Sequence, residues 1–298
     1  MRVKFMTVRG TFLMLSLTVL LASGCGNSNK TDADDLPPVD STATTILNVY
    51  GEIFSIPSPI QTALLIKKSG AKYNKALLNP ASKSSRYSTN FSKALNLGIY
   101  GADLGYVTIY GQTQDAIGYL NAAKKLADDL DVIGAFDTQT IERFSKNYGN
   151  KDSMLILVGL AYRSSDAFFK SNDRSDLRAL VLAGGWLESI YFATNIYKTK
   201  PNKDVKRRIA EQKSSLQNLI KMLTVFYNQP EYTKFIDNLN DLSSVFDGVK
   251  IKYTYKKPTT YAHKKMTIIN SKSELEITPK QIESITQKVK SIRSRILE

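Results

Sequence analysis

Between Tyr50 and Gly248 the apolar residues recur at spacings of three and four, and after Gly248 the period becomes two. This switch constrains the fold most, because a period near 3.6 commits a segment to one face of a helix and a period of two to one face of a strand. Leu97, Tyr100, Leu104, Val107 and Tyr110 set the stripe in residues 90–110, and Ile117, Leu120, Ala123, Ala127 and Leu130 repeat it in 114–130. Residues 152–170 and 173–197 hold runs, at 155–160 and 177–182, that are apolar nearly all round. Helices of that kind belong at the centre of a bundle. Gly159, Gly184 and Gly185 lie inside them, and because each glycine costs about 1 kcal/mol of helix propensity, a close helix crossing is the expected offset.

Capping signals divide the stripe into elements. Ser58-Pro59-Ile60-Gln61 places a capping serine, a proline at the first helical position and a glutamine three residues on, with Gly70 as the stop. A second short helix is predicted over 71–78, ending at Pro80. Asp137 or Thr138 caps another through Ile141 and Phe144, and Pro201 opens a long one through Val205, Ile209, Leu216 and Leu223. Tyr232, Phe235, Leu239, Leu242 and Phe246 mark the last helix before Gly248. Residues 249–255 then alternate as a strand with one buried face, and 266–269 and 275–277 read as shorter strands. Thr278-Pro279-Lys280-Gln281 repeats the capping signature ahead of Ile282, Ile285, Val289, Ile292 and Ile296. The predicted fold is mainly α: a bundle of about seven or eight helices, a small C-terminal β-hairpin or short sheet, and a terminal amphipathic helix. The helical domain spans 46–248, and a basic strand-plus-helix appendage, 249–298, packs on it.

The chain has one cysteine, Cys25, which follows a cationic start (Arg2, Lys4, Arg9), an apolar run over 11–21 and the small residues Ala22-Ser23-Gly24. That is the anatomy of an export signal, too short in its apolar part to span a bilayer. The residues before Cys25 resemble the lipobox of bacterial lipoproteins, although Ala22 stands where leucine is preferred. The resemblance implies cleavage after residue 24 and lipid attachment to Cys25, so that the mature chain keeps no thiol for disulfides, catalysis or metal binding. Residues 25–45, polar and rich in aspartate, read as a disordered tether. Within it Asp40-Ser41-Thr42 resembles a short O-glycosylation acceptor of Bacteroidota, centred on Ser41.

The formal net charge is +14, and from Lys250 onward twelve Lys or Arg face four Glu. On an exported chain such an excess meets lipid headgroups, lipopolysaccharide or acidic glycans rather than nucleic acid, unless it is only a solvated basic face. His263 is the sole histidine, which leaves no Ser-His-Asp triad in the bundle and no histidine-rich metal site. No phosphate-binding loop occurs, so no cofactor is expected. Asp129 and Asp131 read as solvent-facing acids. The candidate site is a polar-aromatic pair of stripes: Asn96, Tyr100 and Asp103 share one helical face, and Glu188, Tyr191 and Asn195 share another near Trp186. If the two faces converge they form either a concave binding site or a buried hydrogen-bond network that fixes helix register.

The strings Ser55-Ile56-Pro57-Ser58-Pro59, Leu77-Leu78-Asn79-Pro80, residues 93–104 (KALNLGIYGADL) and 179–188 (ALVLAGGWLE) resemble a group of uncharacterised helical lipoproteins of Bacteroidota, over roughly residues 53–197. That resemblance implies an exported, anchored, helical protein and brings no activity or ligand. The functional expectation is a lipid-anchored envelope protein, favoured for the outer membrane, periplasmic or surface-facing. Its role is non-catalytic, binding or adaptor, toward a protein, glycan or lipid partner. The alternative is a hydrolase of envelope glycan or peptide, which would need two carboxyls about 5–9.5 Å apart in an open cleft.

Overall fold

The computed structural model describes residues 44–49, 52–135, 138–147 and 150–298. The signal segment, most of the tether, Cys25, Ser41 and Asp137 lie outside the described residues. The first element is a hairpin that the helical reading of this region did not contain: β1 (Thr44–Val49) pairs antiparallel with β2 (Glu52–Pro57), Thr44 opposite Pro57 and Val49 opposite Glu52. Thr44 and Thr45, read from sequence as the end of a tether, belong to β1, and Ile46, Val49, Ile53 and Ile56 supply the β-branched character of such strands.

Eight helices follow: α1 (Pro59–Lys68), α2 (Asn90–Ile109), α3 (Thr113–Asp129), α4 (Thr138–Asn147), α5 (Lys151–Ser171), α6 (Ser175–Thr199), α7 (Lys203–Thr224) and α8 (Pro230–Phe246). The arm β3 (Lys250–Thr254), β4 (Thr259–Tyr261), β5 (Met266–Ile268) and β6 (Lys272–Glu276) leads to the terminal helix α9 (Pro279–Leu297). The mainly helical class with a short C-terminal sheet and a terminal helix is as the sequence predicts. Local chemistry sets the ends. Ser58 Oγ accepts from the Ile60 amide, and Gly70 adopts φ 78° beyond the end of α1. Thr278 and Gln281 form a reciprocal capping box at the start of α9. Over 71–78 only a 3-10 turn forms, Lys75–Leu77, because the Asn74 side chain accepts from the Ala76 amide and Leu78 is already extended.

Two helices make the centre, α2 and α6. They touch backbone to backbone: a Cβ on Gly98 would lie 1.9 Å from the Val181 carbonyl oxygen, and one on Gly184 1.9 Å from that of Leu95. The predicted close crossing is thus present at Gly184, with Gly98 as its partner. At Gly159 it is absent, since the nearest neighbour of a Cβ there is Arg163 Nη1 at 3.9 Å. Helix α5 is accordingly peripheral, with Leu155, Ile156 and Leu160 half-buried, and α2 takes the central place expected of it. Helix α9 lays its buried seam, Ile282, Ile285, Val289 and Ile292, across α6, α8 and the start of α2. The base of the arm is tied to the bundle by Val249 and Ile277, both buried, and by Lys213 Nζ donating to the Asp247 and Val249 carbonyls.

Candidate functional site

The two predicted stripes do converge, because α2 and α6 cross at Gly98 and Gly184 and bring Asp103 beside Glu188. Asn96, Tyr100, Asp103 and Glu188 are 0 % exposed. Between the stripes runs the segment Leu77-Leu78-Asn79-Pro80, in which Asn79 is fully buried. The Asn79 amide donates to Asp103 Oδ2 at 3.3 Å, and its side-chain nitrogen donates to Tyr87 at 2.9 Å and to Asn96 Oδ1 at 3.3 Å. The Tyr100 hydroxyl donates to the Pro80 carbonyl at 3.0 Å. That carbonyl also accepts from the Lys83 amide at 2.9 Å, the first bond of the 3-10 turn Ala81–Ser85, so the tyrosine adds a second donor that ties the turn to α2.

The residue that completes the site comes from α9. Arg293 donates through Nε to Glu188 Oε2 at 2.5 Å and through Nη2 to Glu188 Oε1 at 2.6 Å, a two-point contact. Nη2 also donates to the Leu77 carbonyl at 3.0 Å, and the guanidinium lies 4.1 Å from the centre of the Tyr191 ring. Burial opposes its charge, yet Glu188 outweighs burial and holds Arg293 above the ordinary guanidinium range. Asp103 is pushed well above the usual carboxylate range, first by complete burial and then by the neighbouring Glu188, against a smaller opposing pull from Arg293. One cation cannot neutralise two buried carboxylates. Asp103 Oδ1 has no donor facing it, and the protonated form of Asp103, which burial favours, removes the second negative charge. Tyr100 and Tyr191 are likewise pushed up, chiefly by burial.

Two predicted members stand apart. Trp186 is buried but turns to α7, donating to Gln212 Oε1 at 2.9 Å, and Asn195 is half-buried and donates back to the Tyr191 carbonyl at 2.7 Å. Sequence reading missed Arg293, Asn79 and Tyr87. For Arg293 a signal existed: it follows Val289 by four, which puts it on the apolar seam of α9 rather than on its basic face. Asp129 is a surface acid paired with Lys125 at 3.0 Å, and Asp131 is exposed.

An open groove of about 640 Å³ abuts this network. Its apolar floor is Phe91, Leu95, Phe235 and Ile292, and its rim carries both signs of charge, with Arg86 and Lys234 against Glu231 and Asp237. The Asn96 side chain joins network to groove by donating to the carbonyls of Ser92, at 2.9 Å, and Ile296, at 3.1 Å, two residues that line it. The three walls, from α2, α8 and α9, are further held by Thr89 donating to Glu231 at 3.0 Å and Arg295 to Asn238 at 2.5 Å. Among the described residues no three His, Cys, Asp or Glu side chains stand together as metal ligands, and no helix is long and apolar enough to cross a membrane. No protein-family model, curated protein or solved structure matches this chain.

Proposed function

We propose that this chain is a lipid-anchored envelope protein, held through Cys25, that presents a helical domain and takes a protein, glycan or lipid partner in the groove between α2, α8 and α9. Its role is binding rather than catalysis. The observation that carries this reading is the groove itself: an apolar floor under a polar rim, in the size range of ligand sites, with walls cross-linked by side-chain hydrogen bonds. The buried acids support it from the other side. Asp103 and Glu188 are poorly placed for a hydrolase, since both are fully buried and their oxygens face Arg293 and the Asn79 amide rather than an open cleft.

The test is site-specific photocrosslinking in native membranes. A crosslinker at Lys234, exposed on the groove rim, is expected to capture a discrete partner, and Ser88→Trp, which fills the groove from an exposed loop position, is expected to abolish that capture. The same product from a crosslinker at Lys124, on α3, or its survival in Ser88→Trp, would count against the groove as the site.

A further inference from the structure

The arm between α8 and α9 has a chemistry that packing does not explain. β3 pairs with β6 at its base, where Lys250 and Lys252 stand opposite Glu276 and Glu274, and β4 pairs with β5 farther out, where Tyr261 stands opposite Met266 and Thr259 opposite Ile268. A 3-10 turn, Ala262–Lys264, closes the tip. Every residue from Lys252 to Ile269 is exposed. From Val249 through Lys272 the chain holds seven lysines and one histidine and no Asp or Glu, so the two glutamates of β6 offset only the base.

Directly opposite residues of an antiparallel pair share a face. Tyr261, Met266 and Ile268 therefore lie together on one side of the outer ladder, while Thr260 and Thr267 lie on the other with their hydroxyls 3.2 Å apart. Ile269 is 77 % exposed, Tyr255 69 % and Tyr253 63 %. Lysines alone would be read as guards of a sheet edge against pairing with other chains. Bare methionine and isoleucine at the end of the same arm do the opposite of guarding, because they offer apolar surface to water.

We infer that the outer arm is a docking surface for an anionic lipid bilayer. The lysines at 256, 257, 264, 265 and 272 meet the headgroup charge, and Tyr261, Met266 and Ile268 enter the boundary between headgroups and acyl chains. Tyrosine suits that boundary, having an apolar body and a polar tip, and lysine stems lie along apolar surface while the ammonium stays hydrated. A soluble polyanion would satisfy the lysines and leave the aliphatic side chains in water, which is why a bilayer is the better occupant. The inference is independent of the groove and of the acyl chain on Cys25.

The experiment uses the chain from residue 25 onward carrying Cys25→Ala, which retains every described residue and has no acyl chain. It is sedimented with phosphatidylcholine vesicles with and without about one third phosphatidylglycerol. Binding to the anionic vesicles alone is expected. Lys264→Gln with Lys265→Gln should weaken it about 25-fold, at about fivefold per lysine near the surface, and Ile268→Asp should also reduce it severalfold. Lys124→Gln, on α3, should leave it unchanged, and the circular dichroism of all variants should match the parent, since the altered residues are exposed. Equal binding to neutral vesicles, no binding at all, or loss in the Lys124 control would overturn the proposal. So would wild-type binding by the isoleucine variant together with tight binding to heparin, which would assign the arm to a soluble polyanion.

Discussion

Arg293 is one side chain, yet it joins three segments far apart in sequence: Leu77 in a loop, Glu188 on α6 and its own helix α9. Removing one partner of a buried pair leaves the other charge uncompensated, at a cost of about 3–5 kcal/mol, so Arg293→Met and Glu188→Gln should each lower stability by that order. Asp103 behaves differently. Its folded value lies above its unfolded one, so its bound proton favours folding fully below the unfolded pKa near 4, and that contribution is lost as pH rises through the folded value. Asn at 103 keeps the acceptor for the Asn79 amide and donates to Glu188 without titrating. Thermal melts from pH 4 to 9 should find Asp103→Asn at least as stable as wild type at neutral and alkaline pH, with the advantage shrinking toward pH 4. A loss above about 2 kcal/mol at every pH would mean that the site needs a charged carboxylate there. Much of this site was legible in the sequence, since Asn96, Tyr100, Asp103, Glu188 and Tyr191 share helical faces by spacing alone. Arg293 was hidden because a basic stretch masks one arginine that sits on a seam. Asn79 was hidden because nothing local marks a loop as buried.

At the scale of elements, glycine decides how the two central helices meet. Gly98 and Gly184 face a carbonyl oxygen of the opposite helix at 1.9 Å from where a Cβ would stand, so alanine at either must push α2 and α6 apart. Each substitution should cost about 3 kcal/mol in chemical denaturation. Gly159→Ala should have the opposite sign, stabilising by up to about 1 kcal/mol, because its nearest neighbour is the end of a flexible arginine at 3.9 Å. Equal effects at the three sites would contradict the helix crossing. Stripes, caps and the switch of period sufficed to foresee α1 through α9 nearly in place. The sequence was less informative where two structures compete for one pattern. Apolar character all round α5 was read as central burial, but a long helix with half-buried leucines at its edge has the same composition. The hairpin β1–β2 escaped because its connecting residues, Tyr50 and Gly51, lack the turn pairs that announce a hairpin.

For the whole molecule, the described residues divide their work by position. The centre holds helices in register, the groove beside α9 offers a shaped surface, and the arm carries lysine and bare apolar side chains outward. Tying α9 to the core through Arg293 also fixes one groove wall, since Ile292 and Ile296 of the same helix line it. Each of these parts gains purpose if the domain is held at a membrane by Cys25. From Cys25 to Thr44 there are 19 residues, which span at most about 65 Å when extended, enough for the domain to turn either its groove or its arm toward the surface. Radiolabelled palmitate incorporation with membrane fractionation, comparing wild type and Cys25→Ala in the native host, tests the anchored reading most directly. The account predicts a labelled, membrane-bound wild type and an unlabelled Cys25→Ala released from the lipoprotein fraction. An unlabelled wild type, or identical labelling and partitioning of the two proteins, would contradict it.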